Sequence, residues 1–148
     1  MKQDSDEVVT ILPFIGDKVL MQLRDFKPEI KYPGCWGFFS GSVQVGEEPD
    51  QAARRELLEE IGYDAKVMIH LGRIVITGSN NLSAHIYSCS IQVPLERLTL
   101  TEGVEMALAT PEQIRLNKIY SGSLSKFFPV ANTFFIQEAL DLALASRK

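Results

Sequence analysis

The segment from Gly41 to Tyr63, GSVQVGEEPDQAARRELLEEIGY, gathers Glu47, Glu48, Glu56, Glu59 and Glu60 around the pair Arg54 and Arg55. Glu48-Pro49-Asp50 reads as a helix start, because proline suits the first helical position and acids favour the positive end of the helix dipole. Gly62 reads as the C-cap that ends it. At about 100° per residue, Glu56, Glu59 and Glu60 share one face of that helix. Leu57, Leu58 and Ile61 are expected on the opposite arc, anchored in a core, with Ala52 and Ala53 keeping the preceding turn slim. Carboxylates held this close repel one another, so the pattern calls for a cation among them.

The donor set defines that cation. Oxygen ligands without His or Cys select Mg²⁺ or Mn²⁺ over zinc, and Mg²⁺ typically shares its shell with water and substrate phosphates. Arg55 lies four residues before Glu59 and is expected to hold that carboxylate by a charge-assisted hydrogen bond. A glutamate-rich helix taken alone is most simply a solvated surface. The spacing outside the helix is what departs from that reading.

The flanking chain reads as strands and helices. Glu7 to Phe14 and Lys18 to Arg24 form a hairpin across Gly16-Asp17. Asp25 to Gly37, rich in Pro, Gly and Lys, reads as a loop running into Trp36-Gly37-Phe38-Phe39. Ala65 to Ile76 and Ser83 to Val93 read as strands joined by a turn at Asn80-Asn81. His70 and His85 fall in those patterns as structural histidines. Thr110-Pro111-Glu112 opens a short helix, and Ala131 to Ala145 carries Phe134, Phe135, Ala139, Leu142 and Ala143 at helical spacing. A mixed sheet with helices packed against it follows, since each element has an apolar face to bury.

Length and charge narrow the class. The 148 residues suit one domain, residues 1–148, able to bury a core without disulfides. A net charge of −4 argues against stable nucleic-acid binding through the phosphate backbone. Cys35 and Cys89 are expected as free thiols. No window is long and apolar enough for a membrane span, and the first residues, MKQDSDEVVTILPF, lack a signal-peptide core, so a cytoplasmic protein is expected.

Taken whole, Gly41, five residues, Glu47, seven residues, then Arg55-Glu56-Leu57-Leu58-Glu59-Glu60-Ile61-Gly62-Tyr63 resembles the Nudix box, G-x5-E-x7-R-E-U-x-E-E-x-G-U, with every fixed position present. The resemblance implies an α/β/α sandwich and hydrolysis, with Mg²⁺ or Mn²⁺, of a nucleoside diphosphate linked to another moiety. By matching positions it implies that Glu56, Glu59 and Glu60 are metal ligands and that Arg55 orients them. It also implies that Glu47 and the backbone carbonyl of Ser40 join the metal network, while Gly41 and Gly62 are structural. Some relatives take their base from a loop beyond the sheet. Glu102 and Glu105 lie in the comparable region, Glu105 being preferred from its spacing to Leu108. A homodimer is implied by the family's habit alone.

The match departs at Ser40, where relatives commonly have glycine; a positive φ there would strain serine. That departure motivates the alternative of a nucleotide-binding or regulatory module without turnover. An isoprenoid diphosphate isomerase is disfavoured because only Cys35 and Cys89 are available. Substrate choice is less defined. The proline of ADP-ribose enzymes, the SQPWPxS signature and a coenzyme A motif are all absent. Tyr32 and Trp36, placed in the loop, are the residues expected to stack on a ligand, whereas Phe38 and Phe39 are expected in the core.

Overall fold

A turn at Gly16-Asp17, with Gly16 at φ +65°, folds β1 (Glu7–Ile15) onto β2 (Lys18–Leu23) in the computed structural model, which describes residues 6–76 and 82–147. The strands pair beside the turn through Phe14–Val19 and Ile15–Lys18. Further along, β1 takes β4 (Phe39–Ser42), and β2 takes β3 (Trp36–Gly37) and β7 (Glu105–Ala109). On its other edge β1 runs parallel to β6 (Ser83–Ser90), which pairs antiparallel with β5 (Ile69–Val75). The sheet is therefore mixed. The turn expected at Asn80-Asn81 lies outside the described residues.

Both faces of the sheet are buried, so its central strands read as nearly continuous apolar runs. Val9 and Ile11 of β1, Leu20 of β2 and Tyr87 of β6 pack with Ala52, Ala53, Leu57 and Ile61 of α1 (Pro49–Ile61). Leu12, Phe14, Met21 and Ile86 point the other way, onto Ile114 of α2 (Pro111–Arg115) and Ile136, Ala139, Leu140 and Ala143 of α3 (Thr133–Ser146). The result is the expected α/β/α sandwich. A small hairpin of β8 (Ile119–Ser121) and β9 (Lys126–Phe128) adjoins it.

Local chemistry sets the helix bounds. Pro49 opens α1 behind a reciprocal capping box between Glu48 and Gln51, and Gly62, at φ +72°, closes it in the left-handed conformation. Thr110 and Gln113 form a second box at α2. Two side-chain expectations fail. Leu58 is half exposed, and Phe134 is 90% exposed because, at about 100° per residue, it falls on the side of α3 away from Ile136, Ala139 and Ala143. Cys35 and Cys89 are free thiols as expected, and burial pushes the Cys89 thiol up to about 12. Among the described residues no helix is long and apolar enough to cross a membrane.

Candidate active site

The buried arc of α1 decides where its acids point. At about 100° per residue, Glu56 and Glu60 fall between Ala52 and Ala53, both of which have no exposed surface. These two carboxylates therefore lean toward the sheet rather than away from the core. Glu59 and Leu58 lie on the outer side and are exposed, so the acids do not form a solvated face opposite the leucines.

Arg55 organises the outer part of the array. Its Nε and Nη2 donate to the two oxygens of Glu47 at 2.8 and 3.0 Å, a bidentate pairing. Its Nη1 donates to Glu56 at 2.8 Å and to Glu59 at 3.3 Å, and Nη2 also reaches the Ser42 carbonyl at 3.0 Å. Glu47, not the expected Glu59, is thus its main partner, and this pairing holds the guanidinium above its usual pKa range. Helix spacing reveals only i, i+4 neighbours, and Glu47 arrives from the preceding loop.

Beneath this array, the backbone of β4 passes close under α1. A Cβ added at Gly41 would collide with the Glu56 carboxylate, so a side chain here is opposed by close approach rather than by φ and would force that carboxylate to shift. Gly41→Ala is expected to displace Glu56 and lower kcat at least about tenfold, with a smaller change in thermal stability; parental turnover would show that the carboxylate position is not needed. Ser40 sits in extended β4 opposite Thr10 and is not among the residues with positive φ. Serine carries no backbone strain there, and its carbonyl remains usable.

Glu60 is the deepest acid. Its Oε2 is buried without a hydrogen-bond partner, and burial, then the charge of Glu56, pushes its pKa up to about 8. A side-chain hydrogen bond with Gln22 works in the opposite direction, and Glu102 and Glu59 add to the rise. Burial also raises Glu56, against the pull of Arg55. The sequence carries one signal for Gln22: it is the polar residue inside the apolar run of β2, on the same face as Leu20.

The chain after β6 is clamped to the end of α1. Thr99 N–H donates to Ile61 O at 3.1 Å, and Thr101 N–H and Oγ1 donate to Glu60 O and Glu59 O, each at 3.0 Å. This clamp places Glu102 beside Glu60. Glu105 goes elsewhere. Strand alternation puts it on the side of Ala107 and Ala109, away from α1, where Ser121 Oγ and Ser123 Oγ donate to it. Glu102, and not the preferred Glu105, is thus the acid brought next to Glu60. Glu105 does not sit in a loop beyond the sheet: it opens β7, which pairs with β2 throughout.

Two cavities meet at this point. A polar one of about 160 Å³ is bounded by Gln22, Arg24, Ser40, Glu60 and Glu102. A larger cleft of about 530 Å³, across β4, is lined by Arg24, Lys31, Tyr32, Phe38, Ser40 and Asn132, among others. Arg24 and Ser40 border both. Tyr32 is 45% exposed on the cleft wall, as a ligand-stacking residue requires. Trp36 is not available for that role: it has no exposed surface, and its indole N–H donates to Ile119 O at 3.0 Å. Its backbone joins β3 and bridges to Val130, which takes it out of the loop.

Among the described residues, no three acidic, histidine or cysteine side chains are preassembled as a metal cage, because Arg55 draws Glu47, Glu56 and Glu59 to itself. The donors nevertheless fit a hard cation. Glu60 presents an unsatisfied buried oxygen, the acids near it, Glu56, Glu59 and Glu102, offer further oxygens, and Mg²⁺ needs few protein ligands when water and phosphate supply the rest.

A family model described as NUDIX domain matches residues 5–128. The chain is 51% identical over 41 residues to an oxidized purine nucleoside triphosphate hydrolase of Danio rerio, covering 28% of this chain and 26% of that protein. It is 34% identical over 88 residues to an RNA pyrophosphohydrolase of Helicobacter pylori, covering 56% and 57% respectively. The chain thus spans well under two thirds of either relative. In overall structure it resembles the MutT protein from Methanosarcina mazei, with a TM-score of 0.72 and 16% identity over 96% of this chain and 95% of the other.

Proposed function

The chain belongs to the NUDIX domain family, and on that premise we propose that it hydrolyses an acid anhydride, the pyrophosphate linkage of a nucleoside diphosphate joined to another group. The observation that carries this reading is the buried, unpartnered Oε2 of Glu60 within a complete set of box residues. Glu56, Glu59, Glu60, Glu47 and the Ser40 carbonyl would hold Mg²⁺, or Mn²⁺ in its place. The bound cation would neutralise charge developing on the pyrophosphate oxygens and lower the pKa of an attacking water.

The chain's own groups divide the remaining work. Arg24 and Lys31 bring positive charge to the cleft, which suits a phosphate-bearing ligand, and Tyr32 offers an aromatic face for stacking. Arg55 fixes Glu47 and Glu56 so that the carboxylates need not reorganise during reaction. Glu102 lies beside Glu60 and is exposed to solvent, which supports its role as the base that would take the proton of the attacking water and release it to bulk.

Assay with Mg²⁺ of nucleotide sugars, dinucleoside polyphosphates, ordinary and oxidised nucleoside triphosphates and 5′-triphosphorylated RNA tests the reading. Cleavage of the anhydride in at least one is expected, giving a nucleoside monophosphate from a free nucleotide or a 5′-monophosphorylated end from RNA, and no turnover with the metal bound would overturn it. The alternative of a binding module without turnover loses its motive, since Ser40 is unstrained. Glu102→Gln is expected to lower kcat about 10²-fold or more. Glu105→Gln is expected to leave kcat near parental and to cost about 1 kcal/mol of stability through its serine contacts. The opposite ranking would restore Glu105 as the base.

A further inference from the structure

Outside the glutamate array, two imidazoles and a carboxylate come together where β1, β5 and β6 run side by side. His85 on β6 and His70 on β5 occupy adjacent strands, and Glu7 begins β1. A carboxylate can only accept, so the Nε2–H of His85 donates to Glu7 Oε1 at 2.8 Å, and in the neutral imidazole this leaves the lone pair on Nδ1. The Nε2 of His70 stands 3.4 Å from that Nδ1, a long separation for a hydrogen bond. Two nitrogens each about 2.05 Å from one tetrahedral ion lie about 3.3 Å apart. The observed spacing matches that bite. His70 is exposed and its ring lies 5.0 Å, centroid to centroid, from that of Tyr87, while the His85 side chain is only 12% exposed, so solvent reaches the pair from the His70 side.

We propose that His70 and His85 form a two-imidazole binding site for a divalent transition cation of the zinc class, with water completing its coordination. The carboxylate behind His85 is the outer partner that fixes ring orientation and raises the basicity of a ligating imidazole. Arg73 is the nearby cation. It directs Nε and Nη2 to Ser83 Oγ at 3.1 and 2.9 Å and pairs with Glu7 at 3.4 Å, so its charge is already compensated. Imidazole nitrogen selects Zn²⁺, Ni²⁺ or Cu²⁺ over Mg²⁺, so this site and the glutamate array discriminate between cations.

Titration of the full chain with Zn²⁺ by calorimetry, in excess Mg²⁺ to occupy the glutamate array, tests the proposal. The parent is expected to take up one Zn²⁺. His70→Ala, an exposed substitution, is expected to weaken that step at least about tenfold, and Glu7→Gln about tenfold. Glu60→Gln is expected to leave it unchanged. The proposal is overturned if the parent takes up no Zn²⁺ under these conditions. It is equally overturned if folded His70→Ala titrates like the parent.

Discussion

Glu60→Gln is expected to lower kcat by about 10²–10³-fold and, without metal, to make the protein more stable at pH 8. Both effects have one cause. The carboxyl is buried with an unpartnered oxygen, and its pKa stands near 8 against an ordinary 4.5. Between those values the folded chain retains a proton that the unfolded chain has released. Stability therefore falls as pH rises through the window, by about 2 kcal/mol once solvent relaxation is allowed for. Glutamine resembles the neutral carboxyl and removes that slope, but it cannot supply a charged ligand. Urea unfolding in chelator at pH 5 and pH 8, beside kcat with Mg²⁺, measures both. Parental turnover would take Glu60 out of the metal site, and an unchanged pH slope would show that burial does not strain it.

The reason is general to sites of this kind: the groups that make binding favourable with the cation are unfavourable without it. Arg55 limits that cost by pairing Glu47, Glu56 and Glu59, and it leaves Glu60 alone. The acid without a strong partner is consequently the one that a cation would stabilise most.

Much of this arrangement is legible in the sequence because local chemistry dictates it. Gly16-Asp17 specifies the hairpin turn, Pro49 and Gly62 bound α1, and Thr110-Pro111 opens α2, each through backbone requirements that neighbours do not alter. The features that escape depend on distant packing. Leu58 and Leu57 are alike in sequence, and only the position of the sheet makes one buried and the other exposed. Glu102 and Glu105 differ by strand alternation, which cannot be read until β7 is recognised as a strand paired with β2. Gln22 gains its role from Glu60, far along the chain.

Trp36→Ala is expected to produce the largest loss of stability, about 3–5 kcal/mol from the cavity alone, with a further penalty for the Ile119 carbonyl it now serves. The indole is completely buried, and its backbone exchanges hydrogen bonds with Pro129 O and Ala131 N–H, tying β3 to the chain that enters α3. A domain of this size has only about 5–15 kcal/mol in total, so the alanine variant is expected to be largely unfolded under mild denaturant. Trp36→Phe keeps most of the ring but removes the N–H. It should unfold at lower urea while leaving KM unchanged, because the ring does not reach the cleft. Tyr32→Ala should do the reverse: stability near parental and KM raised several-fold, since base–aromatic stacking contributes about 1–3 kcal/mol. A rise in KM for Trp36→Phe at parental stability would return Trp36 to the ligand site and show that the loop above the cleft rearranges when substrate binds.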